Sequence, residues 1–416
     1  MGRRGRGVIS PDEALRRILR ATPVLGVERV LLGSAVERVL AADLRARDNL
    51  PPFDTSAMDG YAVRARDLAG ASAEAPLELK VGAVLRAGSP RNGGLKPGQA
   101  ARIMTGAPLP KGADSVVMQE AVRAGSSGKI LFRGKTGLGS HIRRRGEDVR
   151  AGARLLEKFT RLRPYEIALL AAQGIMEVPV FRRPVVAVLA TGDELVPSSQ
   201  KLSYGTIRNS NGPALLAGLS RWGVVGLDFG IVRDSPAALL AALKKALREA
   251  DAVLMTGGVS VGDFDFTRGL FPEAGVREIF WKTAVKPGKP LLFGLWERPG
   301  RLPKPVFGVP GNPVAAVVCL EEFIRPALEK MQGLSPKHPS YHLIGTAAND
   351  YPKPKDRRQY LFCRVRRGPQ GYGLEIIRPQ GSAMLGMAAR ADALAVAPEG
   401  IARVRAGSEL AFRWLK

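Results

Sequence analysis

Residues 251–265, DAVLMTGGVSVGDFD, hold the densest chemistry in the chain. The apolar run Ala252–Met255 feeds a turn built from Thr256, Gly257, Gly258 and Gly262, and two acids, Asp263 and Asp265, follow at once. A short apolar run ending in glycines reads as a buried strand, and the glycines let backbone N–H groups crowd against a negative ligand. Carboxylates beside such a cradle repel the anion unless a cation lies between them. The loop therefore suits a phosphorylated ligand held with a divalent cation; the plainer reading is a tight turn with two solvated acids. Two more apolar runs end the same way: Val185–Leu189 in Thr191-Gly192-Asp193-Glu194, and Val306–Val309 in Pro310-Gly311-Asn312-Pro313. Ligands of open α/β sheets bind outside the carboxyl ends of the strands, where helix N-termini and backbone amides also face anions. Neither GxGxxG nor GxxxxGK[ST] occurs in these turns, which argues against an ordinary dinucleotide or P-loop site.

Lys282 and Lys286-Pro287-Gly288-Lys289-Pro290 place three lysines in a short, proline-stiffened span, suited to phosphate or oxyanion contact or, in the plainer reading, to a solvated surface loop. Small polar residues and acids gather at Asp54–Ala62, at Met104–Pro110, and at Arg143-Arg144-Arg145-Gly146-Glu147-Asp148-Val149, each of which is also explicable as a turn. Of the three histidines, His141, His338 and His342, the last two stand four residues apart, but with no cysteine pair or third histidine near them they suggest no zinc site. Cys319 lies in an apolar helical pattern and reads as core; with Cys363 as the only other cysteine there is no disulfide framework.

The elements that must position these groups change character along the chain. Ser10, Pro11 and Glu13 spell a helix start with a capping box, and Ala14, Leu15, Ile18 and Leu19 share one face. A second short helix is expected over Ser34–Leu40. From about Leu50 to His141, glycine- and proline-punctuated apolar runs such as Leu77–Val84 and Ser115–Met118 indicate β structure. Helix returns at Arg163–Ala172. From Arg183, strands at Val185–Leu189, Val224–Val232, Ala252–Met255 and Val306–Val309 alternate with helices at Asn211–Arg221, Pro236–Glu249, Thr267–Phe271 and Pro313–Lys330, the pattern of a parallel sheet covered on both faces. After His338, Leu361, Cys363 and Val365 and then Glu409–Leu415 return to strand alternation. The expected architecture is a multidomain α/β and β protein. It has a discontinuous helical domain (8–50 and 146–182), a β-rich insert (51–145), a central three-layer α/β domain with a mostly parallel sheet (183–332) and a C-terminal β-barrel-like domain (338–416).

The chain has 416 residues, of which 45% are hydrophobic and 24% charged, as in ordinary globular proteins. No apolar run approaches a membrane span, and the basic start MGRRGRGVIS lacks the apolar stretch of a secretory signal, so a cytoplasmic protein is expected. Net charge is +25, with 63 Lys and Arg against 38 Asp and Glu. The basic residues are spread along the length and aromatic residues are only 6%, which favours binding of small polyanions, together with a lineage that prefers arginine, over sequence-specific nucleic acid.

Seven segments in order, FDTSAMDGYAV, RIMTGAPLPKGADSVV, IRRRGEDV, ATGDEL, TGGVSVGDFD, KPGKP and GVPGNP, make the chain resemble the MoeA family of molybdopterin molybdenumtransferases, which includes the E-domain of gephyrin. The resemblance spans nearly the whole chain and implies the same four-domain order and an elongated homodimer whose active site lies between the α/β domain of one subunit and the β-insert of the other. It implies insertion of molybdate into adenylylated molybdopterin with release of AMP, assisted by Mg²⁺, and leaves room for a molybdopterin-adenylylating partner enzyme. By motif position, Asp265, Asp234 and Glu194 organise the cation and the phosphates; Lys282, Lys286 and Lys289 hold phosphate or molybdate; Gly257, Gly258 and Ser260 line the nucleotide side, edged by Pro310 and Pro313. Asp59, Thr105, Arg143 and Asp148 reach in from the partner subunit, and Ser382 borders the molybdate region, although Ala383 follows it where the family often has His. The rival readings are a molybdopterin adenylyltransferase, whose GTGGTG-like loop and single domain differ from this chain, and a non-catalytic scaffold of the same fold.

Overall fold

The computed structural model describes residues 7–88, 94–258, 266–335, 341–369 and 371–415. The chain divides into two compact units: Ala42–Thr160 with Pro164–Met176, and Met1–Ala41, Arg161–Arg163 and Glu177–Lys416.

The first helix, α1 (Pro11–Ala21), starts where the sequence signals it, with the Ser10 hydroxyl accepting from the Glu13 N–H at 3.2 Å. Only half of the expected capping box forms, because the Glu13 carboxylate turns to Arg16 and Arg17 (Arg17 at 2.6 Å) instead of the Ser10 N–H. The helix expected over Ser34–Leu40 is absent. A 3₁₀ turn at Leu32–Ser34 is followed by bridges from Val39 to Arg161 and from Leu40 to Val180, and both side chains are fully buried. Tertiary pairing has overridden local helix propensity there.

The smaller unit is built on six strands, β1 (Gly60–Val63), β2 (Leu77–Leu85), β3 (Gln99–Ile103), β4 (Ser115–Met118), β5 (Val122–Ala124) and β6 (Lys129–Phe132), in the order β4-β1-β3-β2-β6-β5. Alternation sends Tyr61, Val63 and Ala100 to one core and Ala62, Ala101 and Ile103 to another. Helix α2 (Pro164–Ala172) belongs to the same unit.

In the larger unit, β7 (Val185–Thr191), α3 (Asn211–Arg221), β8 (Val225–Val232), α4 (Pro236–Glu249), β9 (Ala252–Thr256), α5 (Phe266–Glu273), β10 (Val276–Trp281), β11 (Leu292–Trp296), β12 (Lys304–Val309), α6 (Pro313–Cys319) and α7 (Arg325–Met331) follow in order. A π-type turn at Leu320–Ile324 joins α6 to α7, so the helical run expected over Pro313–Lys330 is continuous. Pro326 has no N–H to donate to the Glu322 carbonyl, which favours the wider turn. The sheet order is β8-β7-β9-β12-β11-β10. The first four strands are parallel, and β11 and β10, absent from the sequence reading, add an antiparallel edge. Val186, Val188 and Leu254 pack with α1, α3, α6 and α7, while Ala187, Leu189 and Val253 pack with α4 and α5, giving three layers.

The C-terminal strands β13 (Leu343–Ala347), β14 (Arg358–Gly368), β15 (Gly371–Ile376), β16 (Ala393–Ala397) and β17 (Glu409–Trp414) close into a five-stranded barrel in the order β14-β15-β13-β17-β16, with β16 pairing back onto β14. Leu361, Cys363, Leu374 and Phe412 fill it. Val285 and Lys286 extend β14 at Arg358 and Gln359, so the lysine segment is stitched to the barrel.

Candidate active site

The carboxyl ends of β7, β9 and β12 are fastened side by side. The Thr256 hydroxyl donates to the Pro310 carbonyl at 3.1 Å and accepts from the Asn211 side-chain amide at 2.6 Å, and that amide also donates to the Gly311 carbonyl at 2.8 Å. Gly257 has φ +95°, and a Cβ there would lie 2.4 Å from the Thr191 carbonyl oxygen, so only glycine lets β9 turn this tightly against β7. Over this rim opens a cavity of about 600 Å³, lined by Glu194, Asp234, Gly257, Gly258, Pro310 and Pro313 together with Arg208 and Asn211. That volume falls in the range of nucleotide-sized ligands. Asn211 Oδ1 is buried without a partner and awaits a donor, such as a ring N–H or a sugar hydroxyl.

Three carboxylates influence one another here. The Asp234 carboxyl is raised above its ordinary value, first by burial and then by the negative charges of Asp193 and Glu194, while the Asp234 N–H donates to Asp193 at 3.1 Å. Hard oxygen donors whose charges repel fit a divalent cation that keeps part of its water and shares ligand phosphate oxygens. Among the described residues no three His, Cys, Asp or Glu side chains already form a metal-holding group. Ser260, Asp263 and Asp265 lie outside the described residues.

A second cavity of about 260 Å³ adjoins the first and shares Pro290, Pro310 and Asn312 with it. Lys286, Lys289, Arg357, Gln359 and Ser382 line it. Gly288, at φ +110°, lets the KPGKP segment press against Cys319, whose sulfur would be 2.8 Å from a Cβ. Gln359 is 2% exposed; its amide nitrogen donates to the Tyr351 hydroxyl at 3.4 Å, and its Oε1 has no partner, an unspent acceptor beside three cations.

The sequence reading expected helix N-termini to offer free amides to an anion. At α6 the structure differs: the Val314 N–H donates to the Ser382 carbonyl at 3.0 Å and the Ala315 N–H at 3.4 Å. A loop of the barrel thus occupies this helix start, and cationic side chains line the smaller cavity instead. Lys282 lines neither cavity; it has φ +79°, and its ammonium stands 3.6 Å from the Trp281 ring centroid, with Arg268 4.4 Å from the same centroid.

In the smaller unit, Asp59 accepts from the Thr105 N–H at 2.7 Å and from its hydroxyl at 2.8 Å; the backbone bond is the main cause that holds the Asp59 carboxyl below its usual value. Arg143 pairs with Thr55 in a two-stranded ladder, and the Asp148 N–H donates to the Leu50 carbonyl at 3.0 Å. Asp59, Thr105, Arg143 and Asp148 are all exposed. Arg208, Asn211, Arg357 and Gln359 were missed in sequence; only the Asn209-Ser210-Asn211 run ahead of a helix carried a signal, as polar residues favoured at a helix start.

Three family models match the chain: the MoeA N-terminal region (domain I and II) over residues 9–174, a probable molybdopterin binding domain over 187–330, and the MoeA C-terminal region (domain IV) over 345–413. A molybdopterin molybdenumtransferase of Nostoc is 41% identical over 309 residues, 74% of this chain and 70% of that protein. One of Bacillus subtilis is 38% identical over 361 residues, 86% of this chain and 82% of that one. The crystal structure of the molybdopterin biosynthesis MoeA protein of Pyrococcus horikoshii superposes with a TM-score of 0.83 at 30% identity, covering 98% of this chain and 100% of that one.

Proposed function

The chain belongs to the MoeA family of molybdenum cofactor biosynthesis enzymes, and from that premise we propose that it inserts molybdate into adenylylated molybdopterin and releases AMP. The observation that carries the reading is the pair of adjoining cavities with one shared wall. The larger, with its carboxylates and glycine turn, suits the nucleotide and diphosphate; the smaller, with Lys286, Lys289, Arg357 and Ser382, suits a tetrahedral oxyanion. Molybdate held there would stand beside the ligand whose two dithiolene sulfurs replace two of its oxygens, lost as water with protons, while a water molecule cleaves the anhydride into AMP and the phosphate that stays on the pterin.

In this reading Glu194, Asp234 and Asp265 would hold a Mg²⁺ ion, which would supply positive charge against the diphosphate. Gly257, Gly258 and Ser260 line the nucleotide side, and Pro310 and Pro313 shape its edge. Lys286 and Lys289 balance phosphate and molybdate charge, and Lys282, which lines neither cavity, adds only to the positive field around them. The active site is completed in a homodimer by Asp59, Thr105, Arg143 and Asp148 of the partner subunit, whose exposure on the smaller unit supports the role. The cytoplasmic setting and the four-domain division at 8–50 with 146–182, 51–145, 183–332 and 338–416 belong to the same proposal. No helix of the described chain is long and apolar enough to cross a membrane.

The test is AMP release from adenylylated molybdopterin with Mg²⁺ and molybdate. Molybdate-dependent AMP is the expected product. ATP-dependent adenylylation of molybdopterin would favour the adenylyltransferase reading, and binding without turnover the scaffold.

A further inference from the structure

A cationic hollow lies at the other end of the same sheet. Trp296 closes β11, Lys304 opens β12, and Leu247 and Arg248 are in the last turn of α4. With Arg298, Arg301 and Leu302 of the β11–β12 hairpin they line a cavity of about 190 Å³. The six residues of β12 separate it from Pro310, a distance of about 20 Å at strand rise.

The Arg298 guanidinium is 5.1 Å and the Lys304 ammonium 5.5 Å from the Trp296 ring centroid. Neighbouring carboxylates are already engaged: Asp251 takes a two-point pair from Arg182 at 2.8 Å each, and Glu297 takes one from Arg277 at 2.8 and 3.0 Å. Among the described residues Arg248, Arg298 and Arg301 have no carboxylate partner. Lys304 donates to the Leu247 and Ala250 carbonyls at 2.8 and 2.6 Å, which fixes its charge at the mouth of the hollow. Burial lowers its pKa, Asp251 opposes the shift, and the charges of Arg301 and Arg298 add to it. Like charges drawn together around a concavity repel, and a concavity focuses their field on an incoming anion.

We propose that this hollow binds a compact, multiply charged phosphoryl group of about diphosphate size, at a site separate from the reaction centre. Guanidinium forks match phosphate oxygens, and the cations converge on one small hollow instead of running as the stripe that nucleic acid would need.

Inorganic pyrophosphate is the probe, followed by calorimetry and by tryptophan fluorescence. Saturable binding with a fluorescence change is expected, and Trp296→Phe should lose the optical signal while retaining the heat. Arg298→Ala with Arg301→Ala should weaken this binding at least tenfold and leave molybdate-dependent AMP release at the native rate. Lys286→Ala with Lys289→Ala, at the reaction site, should leave pyrophosphate binding at the hollow intact. Unchanged affinity in the Arg298/Arg301 variant, or its loss in the Lys286/Lys289 variant, overturns the proposal. So does an oligonucleotide that binds more tightly than pyrophosphate through the same arginines.

Discussion

The side-chain amide of Asn312 donates to the Ser382 hydroxyl at 3.0 Å, joining the start of α6 to a barrel loop 70 residues later. The Ser382 carbonyl meanwhile accepts from the Val314 N–H at 3.0 Å. This double link closes the wall between the two cavities. Asn312→Ala should cost about 1 kcal/mol of stability, the usual worth of one such bond, and should weaken molybdate binding more than AMP binding. Urea unfolding and calorimetry with each ligand decide; equal loss for both ligands would remove the link from the oxyanion side.

Gly257→Ala should be far more severe. The residue has φ +95° and its new Cβ would sit 2.4 Å from backbone oxygen of Thr191, which cannot swing away as a side chain could. Overpacking and left-handed strain together should cost about 3 kcal/mol or more. Thermal unfolding measures it, and a native melting temperature would show that β9 can turn another way.

Asp234 should bind its proton more tightly folded than unfolded, since burial and then Asp193 and Glu194 raise its pKa. Its contribution therefore favours folding at low pH and declines as pH rises from the unfolded toward the folded value. A cation competes with that proton, so Mg²⁺ should raise the melting temperature more at pH 8 than at pH 5 and release protons on binding. Asp193→Asn should lower the Asp234 pKa in a carboxyl NMR titration.

Arg413 pairs with Glu321 and, at 2.9 Å, with Glu322, which also accepts from the Tyr341 hydroxyl at 2.8 Å. Glu322 is 4% exposed and burial is the main cause raising its pKa. Arg413→Met would leave that charge buried and unpaired, a loss of about 3–5 kcal/mol. Because the raised carboxyl resists ionisation, the loss should be small at pH 4 and grow toward pH 8, and adding Glu322→Gln should recover much of it. Melting curves across pH would expose a flat response as a contradiction.

Exchange between subunits tests the composite site. Asp59→Asn and Lys286→Ala are each expected to be inactive alone, on different units of the chain. Co-expressed, the mixture should regain up to about a quarter of native AMP release, because about half of the dimers are mixed and one of the two sites in each is built of two native halves. Activity that stays at the level of the single variants would place all the machinery within one subunit.

Elements whose information is local were legible in the order of residues. Helices α3 and α4 occupy Asn211–Arg221 and Pro236–Glu249, the bounds read from their apolar periodicity and flanking signals. Strand β9 ends at Thr256, where the glycines begin. The turns carrying Gly257 and Gly258, Glu194, and Pro310 and Pro313 announce themselves in adjacent residues, whereas Asp234, on the same cavity wall, came only from the family resemblance. Features that depend on pairing between distant segments were not legible in that order. Val39 and Leu40 became bridge residues because Arg161 and Val180 come to meet them. The antiparallel edge strands, Gln359 beside Lys286, and the Ser382 carbonyl closing the start of α6 likewise carry no local periodicity. Side-chain spacing fixes what a segment can form, but the partner of a backbone amide is set by which other segment the core brings within 3 Å of it.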